Sequence, residues 1–229
     1  MRQFYQQEQP VLVSVDCVIL GFKDGKINVL ITQRKFDPLR GEHTLLGGFV
    51  RENENLDETV SRVVAEFTGI ENVYMEQVGA YGDVGRDSAG RVISVVYYAL
   101  IDMQQFDEKL RRQHHTEWFN INQVGQLIFD HNRLLDDTIK ILRRRTATQP
   151  VGFNLLPGKF TLPQLQSLYE AIYQHPLDKR NFRKKVFEMD ILERLDEKDK
   201  SSSKRGAYYY QFNKERYDRR LENGFDFSL

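Results

Sequence analysis

The sequence predicts an α+β protein: a mixed sheet packed with helices, followed by a small helix-turn-helix unit that carries a β-hairpin. Three observations predict it. Residues 11–34 read as a hairpin and residues 56–67 as an amphipathic helix, with two further strands close behind. Periodicity then fails over TATQPVGFNLLPGK, which holds two prolines and two glycines and places a boundary near Gln149. Beyond it, two helices and two strands follow in quick succession, giving domains of 1–148 and 149–229. At 229 residues and 40% apolar, the chain is long enough for two ordinary cores.

The elements follow in order. Val11 to Phe22 and Ile27 to Arg34 are rich in β-branched residues and are separated by KDGK, whose Asp24-Gly25 pair suits a tight hairpin turn. A loop from Lys35 to His43 leads to LLGGFV. Leu56, Val60, Val63, Val64 and Phe67 then recur at helical spacing, and Gly69 closes the helix. Strands are predicted at about Val73–Tyr81 and Val92–Ile101, and a helix from about Phe129 to Arg145. In the second part, FTLPQLQSLYEAIY has Thr161 and Gln164 at capping-box spacing, Pro163 in the first turn, and Leu165, Leu168, Tyr169 and Ile172 on one face. Asp178 can cap the next helix, DKRNFRKKVFEMD, in which Phe182, Val186 and Met189 face inward. ILERL and AYYYQF read as two strands around the polar DEKDKSSSKRG.

Bulk properties exclude several classes. MRQFYQQEQP lacks the apolar stretch of a secretory signal and no segment approaches the roughly 20 apolar residues of a membrane span, so a cytoplasmic protein is expected. The single cysteine, Cys17, lies in the apolar run VLVSVDCVIL and reads as a small buried hydrophobe. Basic and acidic residues balance at 33 each, yet residues 149–229 hold 15 basic against 12 acidic. Five of those basic residues fall between Lys179 and Lys185, the one concentrated positive patch.

The segment GGFVRENENLDETVSRVVAEFTGI carries the first constellation. Gly48, Glu54, Arg62 and Gly69-Ile70 match the spacing of glycine, five residues, glutamate, seven residues, then Arg-Glu-apolar-x-Glu-Glu-x-Gly-apolar. This resembles the Nudix box, and the hairpin before it extends the resemblance over roughly residues 11–145. The resemblance implies a helix that presents glutamates to divalent metal, which polarises a pyrophosphate and activates water. Here Val63 and Phe67 replace two of the three glutamates, and only Glu66 remains. At 100° per residue both replacements join the apolar stripe, so packing claims the metal positions and no catalytic residue or metal ligand is assigned. Glu54 and Arg62 read as a charge-assisted pair that ties the loop to the helix. A cleft without metal can still bind a ligand.

Candidate effector contacts are Arg34, His43, Glu66, Tyr81, Asp83 and Arg86. His114-His115 near Glu117 suggests a metal pair, but adjacent side chains diverge, and no chemistry is assigned to them. No cofactor is called for.

A helix, a short turn, a basic helix and a hairpin with a basic tip is the order of a winged helix-turn-helix, whose second helix enters the major groove. Arg180 and Arg183 suit guanine edges and Asn181 adenine, while Lys179, Lys184, Lys185, Lys204 and Arg205 suit phosphates. A degenerate Nudix-like domain followed by this unit is similar to the Nudix-related transcriptional regulators of the NrtR family. That resemblance covers nearly the whole chain and implies a dimeric repressor that leaves operator DNA when an effector binds, either an ADP-ribose-type nucleotide or a sugar. Because the basic residues near the box have many acidic neighbours, a pentose is favoured over ADP-ribose. The rival readings are a metal-dependent pyrophosphohydrolase using Glu66 with Glu54, Asp83 or Glu117, and a C-terminal module for protein or RNA. Effector, operator, sign of regulation and dimer interface stay open.

Overall fold

The structure is a computed structural model describing residues 9–88, 90–106, 108–200, 206–225 and 227–228. Strands β1 (Leu12–Lys23) and β2 (Lys26–Gln33) form the predicted antiparallel hairpin. Asp24 and Gly25 at its tip have φ of 51° and 71°, the positive pair that matches a two-residue turn to strand twist. Then come β3 (His43–Thr44), β4 (Leu46–Phe49), helix α1 (Leu56–Thr68), β5 (Tyr74–Tyr81), β6 (Val92–Ile101), α2 (Glu108–His114), β7 (Thr116–Asn120) and α3 (His131–Thr148). One sheet runs β3-β2-β1-β6-β5, with β4 also paired to β1 and β7 to β2. The C-terminal part contains β8 (Phe160–Thr161), α4 (Leu162–Tyr173), α5 (Lys179–Glu188), β9 (Leu192–Asp199), β10 (Ala207–Phe212) and α6 (Lys214–Glu222). Its sheet runs β8-β10-β9.

The chain divides into two compact units: one combines residues up to Ile19 with Leu30–Ala99 and the segment ending at Asp137, the other Leu20–Val29, Leu100–Phe106 and Thr138 onward. In the first, β1 lies inside the sheet, and Val15, Cys17, Val18 and Ile19 are fully buried, as a strand flanked on both sides requires. Burial pushes the Cys17 thiol far up, which suits a packing role. β4 approaches β1 so closely that a Cβ on Gly47 would lie 2.6 Å from Asp16 Oδ1 and 2.7 Å from the Val15 carbonyl; only glycine fits.

Helix α1 starts with a reciprocal capping box between Asn55 and Glu58 and ends at Gly69 with φ 73°. Val60, Val63 and Val64 are buried beneath it. The predicted stripe is narrower than expected, since Leu56 and Phe67 are only half-buried; Phe67 turns to a cavity wall rather than the core.

The second unit packs Leu155, Phe160, Leu165, Leu168, Tyr169, Phe182 and Val186 into its core. Phe153 stacks on Phe212 at 4.7 Å between ring centroids. Thr161 and Gln164 make the predicted capping box of α4. The turn into α5 is braced from α4: Glu170 Oε1 accepts from the Leu177 amide at 2.9 Å, and Gln166 Nε2 donates to the Leu177 carbonyl at 3.1 Å. Asp178 caps α5 by accepting from the Asn181 amide at 2.7 Å. Gly206, with φ 68°, begins the return into β10 where a Cβ would sit 2.9 Å from the Asp199 carbonyl. Among the described residues, no helix is long and apolar enough to cross a membrane.

Candidate functional site

In the first unit a cavity of about 480 Å³ opens between β1, β2, β4 and the C-terminal turn of α1, within the size range of small-molecule sites. On β1, period-2 alternation selects Leu12, Ser14 and Asp16 for its wall. Thr32 pairs with Thr44 across β2 and β3 and both line the wall, while Gln33 pairs with His43. Of the candidate effector contacts, the wall brings together Arg34, Glu66 and Arg86. His43 faces the other side of the sheet edge, where its ring meets Phe119 edge-on at 5.3 Å. Tyr81 and Asp83 lie outside the wall: Tyr81 donates to Asp137 at 3.1 Å, and Asp83 accepts from Arg133 at 2.6 Å. Burial, and then the Asp137 charge and hydrogen bond, push the Tyr81 phenol up to about 12.

The two wall arginines differ. Arg86 is buried and fully engaged, donating to Asp130 through Nε at 3.1 Å and Nη2 at 2.8 Å, and to Asp16 at 3.4 Å. Ser94 donates to the same Asp16 at 2.6 Å. Arg34 spends only Nε on the Phe36 and Pro38 carbonyls, at 3.2 and 2.7 Å, and its guanidinium carbon lies 4.3 Å from the Phe36 ring centroid. It forms no ion pair with a described residue, so its terminal nitrogens remain for an anion.

Sequence reasoning missed the aromatic and histidine share of this wall: Phe36, Phe49, Phe129, His114 and His131. The Leu45 amide donates to His131 Nδ1 at 3.1 Å, which puts the ring proton on Nε2, facing Asp16 at 3.8 Å. Burial holds both His131 and His114 below their ordinary 6.5. Nothing in a lone histidine's neighbours in sequence announces this, because the contacts span some 86 residues.

A Nudix fold implies divalent metal, and the donor set here does not fit one. Val63 is 1% exposed and apolar, and Phe67 tilts against His114 at 4.8 Å. Glu54 is committed to Arg62, which donates to both its oxygens at 2.7 and 2.8 Å and also to the Phe49 carbonyl, the expected loop-to-helix tie. That bond holds the Glu54 carboxyl down at about 2. Asp83 and Glu117, the other carboxylates of the hydrolase reading, do not reach Glu66's cavity. Among the described residues, no group of three His, Cys, Asp or Glu side chains converges on a metal position.

The second unit presents an interface of another kind. Lys179, Arg180, Asn181, Arg183, Lys184 and Lys185 are all exposed on α5, while Phe182, Val186 and Met189 are buried beneath them. Lys204 and Arg205 lie outside the described residues. The hairpin adds residues the sequence reading passed over: Arg194 and Lys198 lie 4.7 and 4.3 Å from the ring centroid of Tyr208. β9 runs on through the acidic DEKD, because Asp199 still pairs with Ala207.

A ligand-sized cleft beside a Nudix helix, joined in one chain to a helix-turn-helix with a β-wing, defines a class of Nudix-domain DNA-binding regulators. The model of the NUDIX domain matches residues 10–139, and that of the NrtR DNA-binding winged helix domain matches residues 152–212. The chain is 33% identical over 223 residues to the ADPR responsive transcriptional repressor NtrR of Acinetobacter baylyi, covering 95% of this chain and 89% of that one. It is similar to the crystal structure of Shewanella oneidensis NrtR complexed with a 27mer DNA, with TM-score 0.83, 28% identity and coverage of 95% and 99%. It is also similar to the NUDIX domain of that NrtR complexed with ADP ribose, with TM-score 0.51, 29% identity and coverage of 62% and 97%. The chain belongs to the NrtR family of Nudix-related transcriptional regulators.

The expected preference for a pentose is not borne out, since these relatives are named for ADP-ribose. Its premise fails as well: acidic neighbours neutralise Arg62 and Arg86 but not Arg34.

Proposed function

We propose that this chain is a transcriptional repressor in which residues 1–148 bind an ADP-ribose-type nucleotide and residues 149–229 bind operator DNA. The observation that carries it is the cleft itself. Its wall offers one guanidinium without a carboxylate partner, aromatic faces at Phe36 and Phe129, and an acceptor at Glu66, while the apolar side chains of Val63 and Phe67 stand where a metal would need carboxylates. Such a site binds a pyrophosphate-bearing nucleotide and lacks the means to cleave it, which is what a sensor requires: the signal survives being read. Arg34 holds the pyrophosphate, Phe36 or Phe129 takes the base, and carboxylates accept from ribose hydroxyls.

The protein works as a cytoplasmic homodimer, because two recognition helices reading half-sites about 34 Å apart need a fixed spacing. Release from the operator needs a coupling of only about 1–3 kcal/mol between effector and DNA, provided ADP-ribose prefers one conformation.

The test is fluorescence anisotropy on the chain's own upstream DNA, titrated with ADP-ribose. Specific binding released by ADP-ribose is expected, with Arg34→Gln weakening the effector response roughly thirtyfold, equivalent to about 2 kcal/mol. Magnesium-dependent hydrolysis of ADP-ribose that Glu66→Gln abolishes would overturn the reading in favour of an enzyme.

A further inference from the structure

A second cavity, of about 410 Å³, lies in the same unit and remains without a role. It is lined by His43, Arg111, Arg112, His115, Thr116 and Glu117, among others. The register separates most of its lining from that of the cleft, with Gln33 lining both. His43 stands opposite Gln33 and Thr44 opposite Thr32, so alternation sends His43 to one face of the sheet edge and the cleft residues Thr32 and Thr44 to the other. The adjacent histidines divide in the same way. His114 lines the cleft and His115 the second cavity, and a left-handed φ of 52° at His115 makes that divergence between α2 and β7.

The chemistry of this wall is that of an anion site. The Arg112 guanidinium and the imidazoles of His43 and His115 face the single carboxylate of Glu117. Arg112 is exposed and forms no ion pair with a described residue. Thr116 is 1% exposed, and its Oγ1 has no hydrogen-bond partner among the described residues. That hydroxyl has essentially no accessible surface, so it is closed off from the cavity and takes no part in the anion site. Phosphate oxygens meet the Arg112 guanidinium fork and imidazole N–H at once, and Glu117 is positioned to accept from a ligand hydroxyl. We propose that this cavity is a second small-molecule site, on the opposite face of β2 from the cleft, which takes a phosphate-bearing anion.

The chain's single tryptophan, Trp118, lies between the cavity residues Glu117 and Phe119 in β7 without lining the cavity, and it supplies a nearby fluorescence signal. The full-length protein is titrated with inorganic phosphate and with pyrophosphate, following Trp118 fluorescence and heat. One saturable site per chain is expected for at least one probe, retained when ADP-ribose saturates the cleft. Arg112→Gln, at an exposed position that does not disturb folding, weakens it roughly tenfold. Arg112→Lys retains part of the affinity. Absence of saturable binding overturns the proposal. So does binding indifferent to Arg112→Gln, or displaced one-for-one by ADP-ribose, which assigns the anion to the cleft instead. Because the readout is anion binding and not operator release, failure here leaves the repressor reading intact.

Discussion

Helix α1 is capped by Asn55 and α5 by Asp178, and each buries a narrow apolar stripe, Val60, Val63 and Val64 in one and Phe182 and Val186 in the other. They differ in where the residues that carry chemistry fall. On α1 the register that would present carboxylates to metal coincides with the stripe, so Val63 is core and Arg62 is spent on Glu54. On α5 the stripe leaves six basic or amide side chains in solvent. The first turns differ too: Asp57 and Glu58 make the start of α1 acidic, whereas α5 opens with Lys179 and Arg180. An amphipathic helix keeps a function only on the face that packing does not claim, and this chain has let packing win on one helix and not on the other.

The sharpest way to break this comparison is to return the missing glutamates to α1. Val63→Glu buries a carboxylate that has no partner, and a loss of about 3 kcal/mol or more in unfolding free energy is expected. Phe67→Glu, at the half-buried cavity wall, should cost about 1 kcal/mol. Chemical denaturation of both variants checks the order. Equal stability of Val63→Glu and the parent would mean that position 63 is not core at all.

On α5 the effect moves from folding to binding. Arg180→Ala and Arg183→Ala should each cost about 1–3 kcal/mol of operator affinity while leaving the melting temperature nearly unchanged, since both side chains are exposed. Lys184→Ala should weaken specific and nonspecific DNA alike and lower the salt slope by about 1. Anisotropy at two salt concentrations separates the two behaviours; arginine variants that melt early would mean the face is structural.

The same contrast explains what was legible in the sequence. Elements announced by local chemistry were: the Asp24-Gly25 turn with two positive φ values, α1 between Asn55 and Gly69, and α4 and α5 with their caps. Elements that depend on a distant partner were not. LGGF takes no element from the sequence, yet it is strand β4, because the backbone at Gly47 fits against Asp16 and Val15. Helix α6 fully buries none of its residues, and it is held by the Asn213 cap, by Tyr217 against Phe212 and by Arg216 beside Asp190, contacts that lie outside its own sequence. In the cleft, Arg34, Glu66 and Arg86 are legible as polar residues near the box, but His43 stands among them in the sequence while the register turns it away. Tyr81 and Asp83 were near in sequence, and their partners Asp137 and Arg133 on α3 claim them.

A smaller effect belongs to the tie on α1. The Arg62 hydrogen bonds hold the Glu54 carboxyl at about 2, below its ordinary 4.5. The folded state therefore binds protons less readily than the unfolded one, so the stabilisation is complete above pH 4.5 and is lost as pH falls from 4.5 towards 2. Thermal melting of the parent and Glu54→Gln should show a gap that is constant from pH 7 to about 5 and closes below it. A gap that persisted undiminished at pH 3 would mean that Arg62 is held by something other than the Glu54 charge.

The smallest effect bears on the cap of α5. Asn replaces Asp at a helix N-cap with little change in hydrogen bonding, so Asp178→Asn keeps the bond to the Asn181 amide and removes only the charge. Loss of the favourable contact with the helix dipole should lower stability by about 0.3–1 kcal/mol at low salt. Operator affinity should move the other way, because a carboxylate beside Lys179 and Arg180 repels the phosphates those residues are placed to meet. The gain should be a few-fold at low salt and vanish at high salt, where screening removes it. If Asp178→Asn instead lost affinity for the specific sequence at both salts, the carboxylate would be accepting from a cytosine amino group. The cap would then be part of the reading surface, and the functional face of α5 would begin at Asp178, one residue before its first helical residue.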